Sequence, residues 1–270
     1  SIRPNRANPE VRSVRRLELP PPFLGTTAAF AAAAGGRIVA PIAAPNPPLR
    51  SFAALPTPRA VTPETSPMTF ARPKRINGRV PVLTAEEAVK YIPDESTLCV
   101  LGAGGGILEA TKLIEALAER YKTTQTPKNI GIISPTGLGD RAERGISPIA
   151  QEGLVKWALC GHWGQSPRIS ELAEQNKIFA YNYPQGVLTQ MLRASAAHQP
   201  GILSEIGLGT FVDPRNQGGK LNDITKEDLI SLVNLEGKEY LYYKTVAPNV
   251  AFIRATTCDS EGYATFEDEV

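Results

Sequence analysis

The chain has 270 residues, of which 42% are hydrophobic and 21% are charged, so it can fold as one large or two modest globular domains. Residues 1–67 carry a charge of +5 from eight Arg and three Glu, whereas the rest carries −3 from 21 basic and 24 acidic residues. A mildly acidic body does not suggest nucleic-acid binding, which needs a clustered Lys/Arg face, so we expect no nucleic-acid partner.

The first 67 residues differ from the rest of the chain in composition. They hold 13 of the 24 prolines and no lysine, which predicts a disordered extension. Three interpretations stay open: an organelle transit peptide, an interaction tail, or an artefactual extension translated from upstream of the true start. Met68, where the composition changes abruptly, favours the third.

Residues 68–270 show the alternation of an α/β domain. Thr84 and Glu87 form a capping-box pattern that predicts a helix to about Ile92, and an apolar strand follows over 97–101. Helical spacing then predicts a helix from Ile107 to about Tyr121. Further strands are predicted at 129–134, 155–160 and 177–181, and helices from 147, over 169–175 and over 187–198. This order predicts an open, mostly parallel sheet with helices on both faces.

The last part of the domain carries strand patterns at 230–235, 240–244 and 250–255. We interpret them as a small β addition followed by a return to the main sheet. Thr265 to Asp268 has the pattern of a helix start, with acidic residues in its first turn. We therefore expect the natural polypeptide to continue beyond Val270.

Ligands of open α/β sheets bind at the carboxyl ends of the strands, so the loops there are candidate sites. The candidates are the loops 102–106, 135–144, 161–168, 182–186 and 206–220. The glycines of the first, Gly102 to Gly106, offer backbone N–H groups to an anion at a helix N-terminus, or form only a tight turn. A dinucleotide fingerprint fails because it needs glycine at Ile107, which leaves a nucleotide-dependent oxidoreductase a distant hypothesis.

The loop 206–220 combines glycines with Asp213, Arg215 and Lys220. This composition suits a phosphate or carboxylate ligand, with a salt-bridged surface turn as the alternative. His162 lacks a catalytic partner at a recognisable spacing, so we interpret it as structural.

The three cysteines, Cys99, Cys160 and Cys258, are odd in number and far apart, which argues against disulfides and favours small core residues. No metal site is expected, because His162 and His198 lie near no Cys-x-x-Cys pair. No apolar run reaches the roughly 18 residues of a spanning helix, so we expect a reduced, cytoplasmic protein without membrane contact.

Several long motifs, in order, resemble family I acyl-CoA:carboxylate CoA-transferases, most closely the bacterial single-chain acetate and propionate enzymes. The matching stretches are VLGAGGGILEA from Val100, SPTGLGDRAERGISP from Ser134, GHWGQSPR from Gly161, YNYPQGVLTQ from Tyr181, GLGTFVDPRNQGGKLN from Gly207 and FIRATTCDSEGYATFEDE from Phe252. The resemblance covers roughly residues 72–270, so it makes residues 68–270 the N-terminal half of such an enzyme.

The resemblance implies ping-pong transfer of coenzyme A between a short-chain acyl-CoA and a carboxylate such as acetate. Coenzyme A would be substrate and covalent carrier, and no permanently bound cofactor is implied. The family's nucleophile is a glutamate in an E-x-G-x-x-G-G-like motif of the C-terminal half, and the sequence contains no such motif. The missing half is therefore an expected partner, the complete enzyme an expected homo-oligomer, and the fragment alone is expected to be inactive.

The resemblance also assigns site residues. Gly104, Gly105, Gly106 and Gln185 would line the oxyanion and acyl pocket. The family's oxyanion asparagine falls on Lys112, which leaves Gln185 as the candidate donor. A substrate-entrance loop would contain Gly209, Thr210, Asp213, Arg215 and Lys220. The alternative hypothesis is a non-catalytic module that binds coenzyme A or a sugar phosphate.

Overall fold

The computed structural model describes residues 75–269, so the predicted extension, 1–67, lies outside the described residues. The strands, in chain order from β1 to β10, are Thr97–Val100, Ile130–Ser134, Val155–Cys160, Phe179–Asn182, Gly201–Ser204, Ile230–Leu235, Lys238–Lys244, Val250–Phe252, Thr257–Cys258 and Ala264–Thr265. The helices α1 to α4 are Ala85–Ala88, Thr111–Thr124, Pro167–Glu174 and Gln185–Ala196, with single 3-10 turns at Val89–Tyr91 and Ser147–Ile149.

Five strands form a parallel sheet in the order β4-β3-β2-β1-β8. Strand β2 is buried along its whole length, and the last three residues of β1 and of β3 are buried too. Such continuous apolar strands are typical of a parallel sheet covered on both faces. The predicted fold class is confirmed, and the prediction that a late strand returns to the main sheet is correct, because β8 pairs with β1.

Two apolar clusters cover the two faces of this sheet. One face packs Leu98, Ile130 and Ile132 against α2 and α3, which contribute Leu117 and Ile169. The opposite face packs Cys99, Ile133 and Leu159 against α4 and the small sheet. The chain therefore has a three-layer core, with the strand ends and their loops left at the surface.

The predicted β addition is a three-stranded antiparallel sheet in the order β5-β7-β6. Its strand β5 has no sequence prediction, because Gly201–Ser204 is short and lacks a run of β-branched residues. Tyr183, in the loop after β4, joins the two sheets: its hydroxyl donates to the Leu229 carbonyl at 2.8 Å. Its ring also meets the Tyr243 ring edge-on at 5.0 Å.

Three local predictions need correction. The second helix begins at Thr111 and not at Ile107, because Leu108 has a φ of 60° and Ala103 pairs with Ile107 across a tight turn. The helix predicted from 147 is a single 3-10 turn. No helix begins at Thr265 within the described residues: Thr265 pairs with Thr257 in the β9–β10 hairpin, where their side-chain hydroxyls also hydrogen-bond.

The capping box before α1 is confirmed in both directions. The Glu87 N–H donates to the Thr84 hydroxyl at 3.2 Å, and the Thr84 N–H donates to the Glu87 carboxylate at 2.9 Å. None of the helices within residues 75–269 combines the length and apolarity needed to cross a bilayer.

Candidate functional site

A cavity of about 460 Å³ lies at the carboxyl ends of β1, β2 and β8. The residues that follow these three strands supply most of its wall, and α4 and the last described residues supply the rest: Leu101, Gly102, Leu108, Pro135, Thr136, Thr189, Leu192, Ile253, Arg254, Phe266 and Glu269. This is the edge where parallel sheets bind ligands, and the mostly apolar wall suits a short aliphatic group.

One ion pair stands in this wall. The Arg254 guanidinium donates to the Glu269 carboxylate at 3.0 Å. The Glu269 side chain is only 8% exposed. Its other oxygen is buried without a hydrogen-bond partner among residues 75–269. The cavity therefore has a mostly apolar wall that contains one ion pair.

The loop of residues 102–106, which we call the amide loop, borders the cavity at Gly102. Gly105 and Gly106 have φ values of 83° and 84°, a conformation that glycine adopts without strain. The prediction that this loop opens a helix is wrong, because α2 starts five residues after it, at Thr111. The amides of this loop therefore do not lie at a helix N-terminus, and no helix dipole adds to their attraction for an anion.

The N–H groups of the amide loop are not equally available. The Gly105 N–H is shared between the Gly139 carbonyl at 3.2 Å and the Gln165 side-chain oxygen at 3.3 Å. Within the described part of the chain, the N–H groups of Gly104 and Gly106 have no such acceptor. The two flanking amides, rather than all three, are thus the donors without an acceptor among the described residues.

Gln165 is a site residue to which the sequence analysis gave no role. Its carboxamide lies between two glycine loops: a Cβ on Gly104 would be 2.8 Å from Nε2, and one on Gly137 would be 2.9 Å from Oε1. His162 lies beside the same Gly137, with Nδ1 at 3.1 Å from that Cβ position, and is exposed. The sequence feature that could have indicated Gln165 is its place in the loop 161–168, directly after a buried strand.

Gln185 is the first residue of α4, and its side chain packs against the backbone of Gly161. A Cβ on Gly161 would lie 2.7 Å from Gln185 Cγ and 2.2 Å from the Pro135 carbonyl oxygen, so only glycine fits there. Thr189, one turn further along α4, lines the cavity. Among the described residues, no hydrogen bond joins Gln185 to Gly104–Gly106, so the structure brings them to one edge but not into contact.

The loop of residues 206–220, which we call the long loop, satisfies its own charges. Asp213 is fully buried and accepts the Gly209 N–H at 2.8 Å and the Arg215 guanidinium at 2.7 Å. Arg215 also donates to Glu239 of β7 at 3.1 Å. These contacts hold the pKa of Asp213 well below its usual range and raise the pKa of Arg215.

The end of the long loop runs along β4. The Asn182 N–H donates to the Gly219 carbonyl at 2.8 Å, and Lys220 forms an ion pair with Asp228. Thr210 turns its hydroxyl back to the Gly207 carbonyl at 2.7 Å. For these side chains the salt-bridged turn is the better interpretation, and a role at a substrate entrance stays a prediction.

Lys112 and the cysteines lie outside the cavity. Lys112 lines a groove of about 640 Å³ between α1 and α2. Burial raises the pKa of Cys99 to about 11 and that of Cys160 to about 12, so both are core residues, as predicted. Cys258 is exposed, so its predicted core position is wrong. Residues 75–269 contain no cluster of three or more metal-ligating side chains.

The family model described as Coenzyme A transferase matches residues 82–270. The acetate CoA-transferase YdiF of Escherichia coli strain K12 is 83% identical over 203 residues, which are 75% of this chain and 38% of that protein. The caffeate CoA-transferase of Acetobacterium woodii is 42% identical over 189 residues, 69% of this chain and 36% of that protein.

A solved structure is similar as well. The acyl-CoA transferase YdiF of E. coli O157:H7, crystallised as a thioester complex with CoA, has a TM-score of 0.72 and 82% identity, covering 73% of this chain and 39% of that one. The chain thus spans little more than a third of the length of these relatives. The matches confirm the resemblance drawn from the motifs.

Proposed function

Because the chain belongs to the coenzyme A transferase family, we propose that it supplies the acyl-binding half of an enzyme that moves coenzyme A between a short-chain acyl-CoA and a carboxylate such as acetate. The observation that carries this proposal is the apolar cavity at the carboxyl ends of β1, β2 and β8, bordered by the amide loop. Its volume of about 460 Å³ accommodates a small acyl group beside backbone N–H donors.

The chemistry that fits this arrangement is covalent catalysis by a carboxylate. A glutamate oxygen bonds to the thioester carbonyl carbon, and coenzyme A leaves as a thiolate. The thiolate then attacks the glutamyl carbonyl, which releases the free acid and leaves a glutamyl-CoA thioester. Each attack places negative charge on a carbonyl oxygen, which the N–H groups of Gly104 and Gly106 and the amide of Gln185 would stabilise.

The proposed glutamate belongs to the part of the family enzyme that this chain does not match. Fragment complementation tests this division: the chain is mixed with the remainder of the E. coli relative, and acetyl-CoA formation from propionyl-CoA and acetate is measured. We expect turnover from the mixture and none from either piece. Turnover by the chain alone, or a mixture that associates but stays inactive, contradicts the proposal.

The covalent step has its own test. After acyl-CoA is added to the active mixture, mass spectrometry should find coenzyme A bound to a glutamate, and borohydride should reduce the thioester and abolish turnover. The variant Gln185→Ala should lower kcat by about 100-fold, because loss of one oxyanion donor has an effect of this size. Turnover without a glutamyl adduct rules out this mechanism.

We also propose that the complete enzyme is a cytoplasmic homo-oligomer. Sedimentation of the active mixture measures its assembly state.

A second candidate is a module that binds coenzyme A or a sugar phosphate without transferring it. The observation in its favour is that the sequence lacks an E-x-G-x-x-G-G-like motif. Calorimetry of the full chain with CoA, acetyl-CoA and ribose 5-phosphate separates the candidates. Tight binding by a chain that complementation does not activate supports the module, and absence of binding excludes it.

A further inference from the structure

Glu109 is a buried carboxylate that the proposed chemistry does not use. It is only 4% exposed, and it lies just before α2, next to Leu108 of the cavity wall. One carboxylate oxygen accepts the Gly139 N–H at 2.5 Å, and the backbone N–H of Gly145 also lowers the pKa of the carboxyl. Gly139 and Gly145 belong to the segment after β2, so Glu109 links the loops that follow two neighbouring strands.

We infer that Glu109 is a positioning residue of the transferase site, which clamps the segment 139–145 against the amide loop and thereby fixes Gly105, the residue between the two amides proposed to bind the acyl carbonyl. The inference rests on the proposed function for the identity of the ligand. The clamp itself is independent of the proposed function, because it consists of contacts within this chain.

The clamp reaches the amide loop through a short chain of hydrogen bonds. Gly139 gives its N–H to Glu109, and its carbonyl accepts the Gly105 N–H at 3.2 Å. The stem of Glu109 also packs against the start of the same loop, since a Cβ on Gly102 would lie 2.9 Å from Glu109 Cγ. A shift of the carboxylate is therefore transmitted to Gly105 through a single intervening residue.

The backbone around Glu109 is built for close approach. Gly139 and Gly145 have φ values of 105° and 70°, and a Cβ on either would come within 2.5 Å of backbone atoms. Leu108, directly before Glu109, has a φ of 60°, which a leucine adopts only at a cost that the surrounding structure offsets. This turn directs Glu109 inward instead of leaving it on the surface of α2.

The electrostatic surroundings make the carboxylate sensitive to replacement. Burial raises the pKa of Glu109, the backbone N–H groups of Gly139 and Gly145 and the charge of Arg144 oppose this shift, and Asp140 adds to it. A glutamine at this position keeps the volume but offers the Gly139 N–H one neutral acceptor oxygen, which is a weaker acceptor than the charged carboxylate that it replaces. Glu109→Gln should therefore loosen the clamp while relieving the cost of a buried charge.

The experiment compares the wild-type full chain with Glu109→Gln and with Glu115→Gln, an exposed glutamate of α2 that serves as the matched control. For Glu109→Gln we expect amide exchange at Gly139 and Gly145 to accelerate about tenfold, with exchange in β1 to β4 unchanged. We also expect the NMR order parameter of the Gly105 amide to fall from about 0.85 to below about 0.6. The control should match wild type.

Two results overturn the inference. An unchanged Gly105 order parameter means that the clamp does not reach the amide loop. Equal acceleration of exchange through β1 to β4 means that Glu109 supports the fold in general. If Glu109→Gln does not fold, a pH titration of the wild-type chain by NMR replaces it. The amide proton shifts of Gly139, Gly145 and Gly105 should change with pH around one common midpoint. Separate midpoints refute the coupling between Glu109 and the amide loop.

Binding measurements keep the two proposals apart. Calorimetry with acetyl-CoA should show about tenfold weaker binding to Glu109→Gln than to wild type, which corresponds to 1.4 kcal/mol. If wild type binds no acyl-CoA, the proposed function of the isolated chain fails, while the exchange and order-parameter results still judge the clamp. If binding is unaltered although the amide loop loosens, the positioning role is refuted.

Discussion

The amide loop follows β1 of the parallel sheet, and the long loop follows β5 of the small antiparallel sheet. Both loops are rich in glycine, yet they differ in where their polar groups go. In the long loop, the buried Asp213 carboxylate pairs with Arg215, and Lys220 pairs with Asp228. In the amide loop, the N–H groups of Gly104 and Gly106 have no acceptor within residues 75–269. N–H groups without an internal acceptor, and not glycine or charge content, thus distinguish the amide loop from the self-contained long loop.

The largest expected effect on stability comes from removing the buried carboxylate of the long loop. Asp213→Ala leaves the Gly209 N–H and the Arg215 guanidinium without their acceptor, and unpaired buried donors cost about 1–3 kcal/mol each. Arg215 is 49% exposed, and water can recover part of that loss. We expect urea unfolding to show a loss of about 3 kcal/mol, with little change in acyl-CoA affinity. Asp223→Ala, an exposed carboxylate of the following segment, is the control.

The same pair predicts a pH dependence with a definite sign. Arg215 lowers the pKa of Asp213 in the folded chain, so the stabilisation is fully present above about pH 4, the ordinary range of an aspartate. It is lost as the pH falls further toward the folded-state pKa. The stability difference between wild type and Asp213→Ala should therefore narrow on acidification from pH 5 to pH 2, and a constant difference contradicts this origin.

A smaller effect sharpens the comparison. Gly105 and Gly209 have φ values of 83° and 72°, and a Cβ on either meets nothing within 4 Å. Gly105→Ala and Gly209→Ala should therefore each lose about 1 kcal/mol of stability from backbone strain alone. Only Gly105→Ala should weaken acetyl-CoA binding in calorimetry. Equal effects of the two variants on binding remove the distinction between the loops.

The smallest effect concerns Lys220. Its ion pair with Asp228 joins two side chains that both reach solvent, and such pairs contribute about 0–1 kcal/mol. Lys220→Ala should change the free energy of unfolding by about 0.5 kcal/mol or less, and less still in high salt. A large loss of acyl-CoA binding in this variant restores the predicted entrance role of the long loop.

The sheet was predictable because its strands are continuous apolar runs between glycine and proline signals. Strand β3, Val155–Cys160, is the clearest case, since its observed bounds equal the predicted ones. The start of α2 was not predictable: Leu108 in a left-handed conformation is rare for leucine, and the apolar spacing from Ile107 matches a helix. Tertiary contacts of Glu109 decide that turn, and they involve residues some 30 positions away.

The site was partly predictable for a related reason. Placing Gln185 and the amide loop at one edge follows from parallel strand order, which the alternation of elements indicates. Two readings of the long loop stayed open, because the spacing of Asp213 and Arg215 allows an internal pair but does not require it. Burial of Asp213 and the contact of Arg215 with Glu239 show that the internal pair forms, and both depend on how the small sheet packs.

The position of β8 at the edge of the sheet also sets an order of events during synthesis. Thr97 and Asn249 exchange two hydrogen bonds although they are 152 residues apart, whereas β1 to β4 pair with sequence neighbours. Strands β1 to β4 can therefore assemble on the ribosome before β8 has emerged. Ile253 and Arg254, which follow β8, complete the cavity wall, so the nascent chain acquires strands β1 to β4 first and the cavity last.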